Sequence, residues 1–454
     1  MKNINTLRAT VVAAVLATGS AAWATNGMLM EGYGPQALSM GGAAQAYDNG
    51  TAGMMNNPAT LQLGANGTRA DFALGVLGPH VTSMGEKSGG TSYVMPALGW
   101  VRKNDQYSYG IGVFGQGGMG TEYRAGSMNA AGTNAPVRSE LAVGRVIFPA
   151  SYKVSDRLNV GATLDFTWAS LDMRMAALFG QMAGMSPMPT GPLATMMGQM
   201  TTQQDGESND VYAARMLQLQ QMPVRIDFSD NNDFTGQAKS TGFTGKLGLT
   251  YLATPELTVA ASYQMKSNLG DMSTSGSGAT LTMGSNPAMV GKMVVHDFQM
   301  PAVLAVGASW VASPRLQMVA DVKRIDWSRV MSNFRMTFES SPQVGSMGFT
   351  MPQSWKDQTV VSLGGAFKAT DVWTLRAGYS HSSNPIPDAT VHPLFPAIVK
   401  THLTAGFGYQ ISKNLTLDGA VSHAPKVTVS AGQLGGANIT HSQTNYQVLL
   451  GYRY

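Results

Sequence analysis

Residue types that could do catalytic chemistry are sparse in this chain, and their spacing does not suit it. There is no cysteine, hence no thiol nucleophile and no thiolate metal ligand. Seven histidines (His80, His296, His381, His392, His402, His423 and His441) stand singly, none at metal-ligand spacing from another. No G-x-S-x-G elbow, H-E-x-x-H pair or phosphate-cradling G-x-x-x-x-G-K-[ST] occurs. One G-x-G-x-x-G is present at Gly110, Gly112 and Gly115, but it lies inside an alternating strand pattern with no helix after it. A dinucleotide turn needs that helix. A near-match at Gly32, Gly34 and Ala37 lacks the preceding strand. Asp230 to Asp233 form an acidic patch without the ligand spacing of a calcium loop, and a solvated loop accounts for them. The chain is therefore expected to be no enzyme, with no catalytic residues, no metal site and no cofactor.

The remaining charges of interest fall on what should be the inner faces of strands: Asp165, Lys246, Lys266, Asp321, Lys323, Arg376 and Arg453. They read either as an internal network bracing the fold or as cations, with Lys246, Lys266 and Arg376 the candidates, that meet an anionic headgroup.

What must position them is a set of strands. In the last segment Tyr446, Val448, Leu450, Tyr452 and Tyr454 alternate with His441, Gln443, Asn445, Gln447 and Arg453. Successive side chains of a strand point to opposite faces, so one face here suits lipid and the other water. The same alternation runs through Leu403 to Ile411, Trp373 to Tyr379, Leu257 to Met265 and Leu158 to Trp168. Six very short connections, at 103–106, 155–157, 253–256, 312–315, 369–372 and 412–414, separate longer irregular loops, as periplasmic turns and outer loops do in transmembrane barrels. Six pairs plus one strand at each end give an expected all-β fold: a 14-stranded antiparallel transmembrane β-barrel. The strand over 92–103 alternates poorly and contains Pro96.

Composition agrees. Charged residues make up 12% of the chain against roughly 25% in soluble domains, and 53 of 454 residues are glycine. The formal charge is +4, two units of it from Lys2 and Arg8, which gives no reason to expect nucleic acid. Residues 1–24 read as a signal peptide, with an apolar stretch from Ala9 and a small-x-small site at Ala22-Trp23-Ala24. Residues 25–66 lack alternation and could fill the lumen of the barrel formed by residues 67–454. The longest loop, 175–235, carries two apolar stripes at helical spacing. One is Met175, Leu178, Phe179, Met182 and Met185. The other is Tyr212, Met216, Leu219 and Met222, after Ser208 as N-cap. Ten of the 31 methionines lie between 173 and 222. Flexible thioethers accommodate varied apolar shapes, so Met175, Phe179, Met182, Met216 and Leu219 are candidates for ligand capture. The alternative is that the two stripes pack on each other.

Residues 25–66 also carry a family likeness. Asn26-Gly27-Met28, Gly32-Tyr33-Gly34, Ser39-Met40-Gly41-Gly42-Ala43 and Asn56-Asn57-Pro58-Ala59 resemble the hatch of the FadL family of outer-membrane transporters for long-chain fatty acids and aromatic hydrocarbons. Gln299-Met300-Pro301, Asp326-Trp327-Ser328 and Asn384-Pro385-Ile386-Pro387-Asp388 follow in the family's order. The resemblance implies an N-terminal hatch (plug) inside the barrel, with gating carried by Asn57, Pro58, Ala59, Gly41 and Gly42. It also implies capture by outer loops and sideways release through the wall. The expectation is passive uptake of a hydrophobic small molecule, fatty acid or hydrocarbon, across a Gram-negative outer membrane by a monomer set among lipid and lipopolysaccharide. A water-filled general diffusion porin, a membrane-embedded hydrolase and a surface adhesin are the rival readings.

Overall fold

The computed structural model describes residues 26–232, 235–432 and 436–454. The expected leader and Asp233 of the acidic patch lie outside the described residues. All strands join one sheet that closes on itself. Its antiparallel circuit runs through Gly67–Ser83, Tyr93–Lys103, Tyr107–Tyr123, Val137–Lys153, Leu158–Leu178, Ala238–Thr254, Leu257–Gln264, Val303–Ser313, Leu316–Ile325, Gln358–Lys368, Trp373–Ser382, Thr401–Gln410, Leu415–Ala431 and Ala437–Arg453. The last strand pairs back onto the first from Arg69↔Arg453 to Ser83↔Ile439. Closure joins the first and last strands, the condition for a sheet to sit in lipid.

The expectation of fourteen strands is corrected: the sheet contains 23 strand segments. Counting from the short turns registers only strands that reach the periplasmic rim. The outer connections add their own. Pro223–Phe228 extends from the end of Leu158–Leu178, pairs with Ala279–Met283, and the ladder continues through Met289–His296, Asn333–Glu339 and Ser346–Pro352 to Met188–Thr190. A hatch, meaning a body free to move in the lumen, is likewise not shown. Residues 26–66 are bonded to the wall along their length, as described below.

The alternating pattern does what lipid requires. Phe72, Leu74, Leu164, Leu249, Leu304, Leu403 and Val448 are exposed on the outer face, while their strand neighbours Asp71, Asp165, Thr250, Ala305, His402, Thr404 and Gln447 are buried within. Aromatic rings ring the periplasmic rim: Trp373 and Tyr409 lie 4.5 Å apart, Tyr452 and Tyr454 5.7 Å, and Trp100 donates to the Tyr454 hydroxyl at 3.2 Å. Such amphipathic rings sit at the headgroup level. Among the described residues no helix is long and apolar enough to cross a membrane.

In the 175–235 loop the second stripe is the helix Asn209–Gln220, and the Ser208 hydroxyl accepts from Val211 N–H as the N-cap requires. The first stripe is not helical throughout. Met175 and Leu178 end the strand Leu158–Leu178, and only Phe179–Met185 winds, as a 3-10 helix. A further helix, Gly191–Thr201, opens on Pro192 and ends the Met-rich run.

Candidate functional site

The N-terminal segment is held by three kinds of contact. The first is backbone against bare wall. Asn57, Pro58 and Ala59 lie on Gly161 and Gly248, where any side chain would run into Asn57, Pro58 and Ala59 themselves. Asn57 donates to Gln45 O at 2.9 Å and to Leu249 O of the wall at 3.2 Å, and its own carbonyl oxygen caps Ala59 N–H at 3.1 Å. Gly41, at φ +69°, has the left-handed backbone that favours glycine, and its N–H reaches Thr404 at 2.9 Å while Met40 and Gly41 rest on Gly364 and Gly378. Gly42, at φ +81°, turns the chain beside Glu31.

The second is charge. Asp321 accepts from Ala44 N–H at 2.6 Å and Gln45 N–H at 3.2 Å. Lys323 donates to Glu31 O at 2.9 Å and Gly42 O at 2.8 Å, and Lys246 to the carbonyls of Met55 and Asn56. Lys246 therefore braces the segment. Arg376 pairs with Asp418 at 2.7 Å beside a polar pocket of about 740 Å³ that opens among the short turns. Lys266 is a correction: the strand ends at Gln264, so Lys266 is exposed instead of facing the lumen. Arg145, not foreseen from sequence, is the hub of the lumen. Its guanidinium holds Asp165 at 3.0 Å, Gln264 at 2.6 Å and Gln116 at 2.7 Å. It shares the inward face of its strand with Val143 and Ile147. Replacing Asp321 by Asn should loosen residues 42–46 by about 2 kcal/mol, the worth of hydrogen bonds to a charged acceptor. Limited proteolysis of the N-terminal segment at fixed barrel integrity measures this.

The third contact ties the segment to an irregularity in the wall. Strand Tyr107–Tyr123 carries one extra residue, Gln116, between Gly115↔Gly144 and Gly117↔Val143. Beyond this bulge its inner edge bonds to the N-terminal segment: Gly118 N–H to Met28 O at 3.1 Å, a bridge between Leu29 and Gly117, and Tyr33 hydroxyl to Gln116 O at 2.7 Å. On its other side the ladder with Tyr93–Lys103 stops at Leu98↔Val113. The next link is the Ser88–Gly89 corner, bonded to Glu122. Between these points the wall is unlaced. Pro96 stands in the gap and brings no N–H. Met95 fills it, its methyl group pressed against Gly115. Behind it is a narrow cavity of about 30 Å³ lined by Met30, Tyr33, Met95, Leu98, Phe114 and Gln447. Val94, Ile111 and Leu74 beside the gap face lipid.

Above the segment lies a second, apolar cavity of about 20 Å³ among Met28, Met119, Leu141, Phe298, Met331, Phe334 and Phe395. The connection from 383 to 400 folds down as its lid. Pro393 O accepts from Thr121 at 3.0 Å and Tyr123 at 3.2 Å, and Pro396 O lies 2.8 Å from His441. His392 in this lid is half-buried, and desolvation pushes it down to about 4. Of the expected capture residues, Met175 and Met182 are buried in the apolar cluster continuous with this cavity and Phe179 packs on its edge. Leu219 is buried and Met216 half-buried on the helix above, outside that cluster. None lines either cavity. In the outer loop, Arg215 bonds Glu207 at 2.8 Å and holds its carboxyl at about 2.

A sealed barrel with an unlaced wall and an apolar interior is the geometry of a transport channel. Residues 11–453 match the family described as outer membrane protein transport protein (OMPP1/FadL/TodX). The chain belongs to that family. Its solved FadL/TodX relatives include the toluene transporter TbuX of Ralstonia pickettii, 30% identical, with 93% of this chain and 99% of that one covered at a TM-score of 0.75. The toluene transporter TodX of P. putida is 28% identical over the same shares at 0.78. A FadL homologue of Pseudomonas aeruginosa, 15% identical over 94% and 99% of the two chains at 0.70, shares the fold. A curated Chlorobium limicola protein, described as uncharacterized in the phosphoenolpyruvate carboxykinase gene 5′ region, is 47% identical over 66 residues, 14% of this chain and 32% of that relative's length. As a FadL/TodX family member the chain is an outer-membrane β-barrel whose family and fold are those of transport channels.

Proposed function

We propose that this protein carries hydrophobic compounds, monoaromatic hydrocarbons foremost and fatty acids as the related class, passively across the outer membrane. The reading rests on one observation: the apolar cavity behind Met95 abuts a stretch of wall with no ladder, level with lipid-facing side chains. A hydrocarbon gains about 25 cal/mol for each Å² it keeps from water, so a dry route from outer loops to bilayer interior suits it and a water pore does not. The Met-rich outer region would take up the ligand, with Met175, Phe179 and Met182 in its interior and Met216 and Leu219 above. The N-terminal segment, through Asn57, Pro58, Ala59, Gly41 and Gly42, would gate its descent. The gap beside Met95 would release it sideways. TbuX and TodX, described as toluene transporters, support aromatic hydrocarbons as the class.

A deletion strain supplied with radiolabelled toluene or oleate tests this: uptake restored by the wild-type gene for one or both is the expected result. Restoration for neither, together with strong sugar flux in liposome swelling, would favour the porin. Removing residues 180–225 should lower uptake; a loss of surface adhesion alone would favour the adhesin. Asn57→Ala removes the bonds to Gln45 and Leu249 and the cap on Ala59. It should cut toluene uptake severalfold while the barrel keeps its heat-resistant migration on gels.

A further inference from the structure

The cavity behind Met95 is not purely apolar. Gln447, on the inner face of Ala437–Arg453, is 7% exposed, lines the cavity, and its Oε1 has no hydrogen-bond partner among the described residues. A buried carbonyl left unpaired costs about 1–3 kcal/mol, so this acceptor favours any occupant that brings a donor. Room for the amide comes from Gly75, directly opposite in the ladder: an alanine Cβ there would stand 3.3 Å from Gln447 Cγ. Two further polar side chains of the cavity, Tyr33 and Asp71, are already engaged. Tyr33 donates to Gln116 O. Asp71 accepts from Arg69 at 2.8 Å and from Thr51 N–H at 2.9 Å.

The lining therefore offers an apolar body site, formed by Met30, Met95, Leu98 and Phe114 and widened when the flexible Met95 side chain swings aside, with the buried, unpaired Gln447 acceptor on its inner side. It also holds a carboxylate, Asp71, whose charge opposes a second anion. We propose that this cavity selects uncharged hydroxyl-bearing amphiphiles, phenols and aromatic alcohols, with the ring against Met95 and Phe114 and the hydroxyl donating to Gln447 Oε1. Gln447 is then a specificity-determining residue for ligands on the way to the wall gap. Plain hydrocarbons pass without using it, and carboxylates are disfavoured at this point. The inference rests on the transport reading above.

The test uses the purified full-length protein in detergent, titrated calorimetrically with p-cresol, toluene and p-toluate. Gln447→Met keeps the length of the side chain and removes the acceptor. It should weaken p-cresol about five- to tenfold, the worth of one net hydrogen bond, and leave toluene unchanged. In the wild type p-toluate should bind more weakly than p-cresol. Gly75→Ala, which presses on the Gln447 stem, should also weaken p-cresol selectively, and it carries the test if Gln447→Met fails to fold. Gln443→Met, two inward positions further out, should change none of the three. Equal shifts for p-cresol and toluene, an unchanged p-cresol affinity in a folded Gln447→Met protein, or p-toluate binding as tightly as p-cresol would each overturn the proposal. Failure here with toluene uptake intact leaves the transport reading standing. Loss of wild-type toluene and oleate uptake would remove both.

Discussion

Deleting Gln116 should abolish uptake of hydrophobic ligands and leave a barrel at least as stable as the parent. Gln116 is the one residue without a partner where the ladder of Tyr107–Tyr123 with Val137–Lys153 passes from Gly115↔Gly144 to Gly117↔Val143. A bulge bends its strand and interrupts pairing, and here it also exchanges the faces of the two halves. Ser108 and Phe114 point inward before it, Met119, Thr121 and Tyr123 after it. Removing one residue therefore keeps every side chain on its present face while restoring a continuous register, which a one-residue slip elsewhere in a strand would not do. The straightened strand can then pair with Tyr93–Lys103 beyond Leu98↔Val113, and backbone hydrogen bonds replace the gap that Met95 fills. Pro96 still withholds one donor, so the closed ladder will lack one bond. The cost is the inward set: Tyr33 to Gln116 O, Gly118 to Met28 O, and Arg145 to Gln116 Oε1. Labelled toluene entry into cells, compared with heat-resistant migration on gels, separates closure from misfolding. A correctly folded deletion variant with undiminished uptake would show that ligands leave elsewhere. Met95→Ala works in the opposite direction and should speed release, because it empties the gap without lacing it.

How far the sequence carries this picture varies with what holds each element. The circuit of strands was legible because lipid imposes period 2 on any strand it touches, as at Tyr446 to Tyr454 against Gln443 to Arg453. The six short turns were legible because they admit so few residues. The outer strand segments were not. Pro223–Phe228 and Ala279–Met283 lie beyond the lipid and pack on a Met-rich core, so no constant lipid face marks them. Met175 and Leu178 fell at helical spacing by coincidence with a strand that simply ran on. The contacts of residues 26–66 show why Asn57 and Gly41 stood out: the Asn57 side chain meets bare wall at Gly248 and the Gly41 backbone at Gly378, a demand on residue type that short motifs retain. The wall gap had a trace in Pro96 and in the poor alternation around it. Its cause, Gln116, is visible only once the partner strand is known, since an extra residue exists only relative to a neighbour. Arg145 sits in an ordinary alternating strand, and nothing local distinguishes a lumenal hub from any other inward cation.

Acidification should open the lid formed by residues 383–400, and the effect should vanish in His392→Gln. The imidazole of His392 is half-buried in the lid, lies 6.5 Å from the Phe395 ring and accepts from Leu394 N–H at 3.2 Å, so the packed state holds it neutral. Burial has lowered its value from 6.5 to about 4. A lid swung into water would let it return to the ordinary value. The packed lid therefore has its full stability above about pH 6.5 and loses it progressively as pH falls toward 4, where both states are protonated alike. Each unit is worth 1.36 kcal/mol, so the loss reaches at most about 3 kcal/mol. Hydrogen exchange of the amides from Leu394 to Val399, corrected for intrinsic rates, should lose protection on the order of a hundredfold between pH 6.5 and 4.5 in the wild type. Glutamine can keep a neutral acceptor near Leu394 N–H and has no proton to gain, so protection in His392→Gln should not vary with pH. Parallel behaviour of the two proteins would assign the opening to other groups. Because Phe395 lines the apolar cavity and Pro393 bonds Thr121 and Tyr123, a lid that opens also uncovers that cavity. Toluene binding measured across the same pH range should then quicken as the lid loosens, in the wild type and not in the variant.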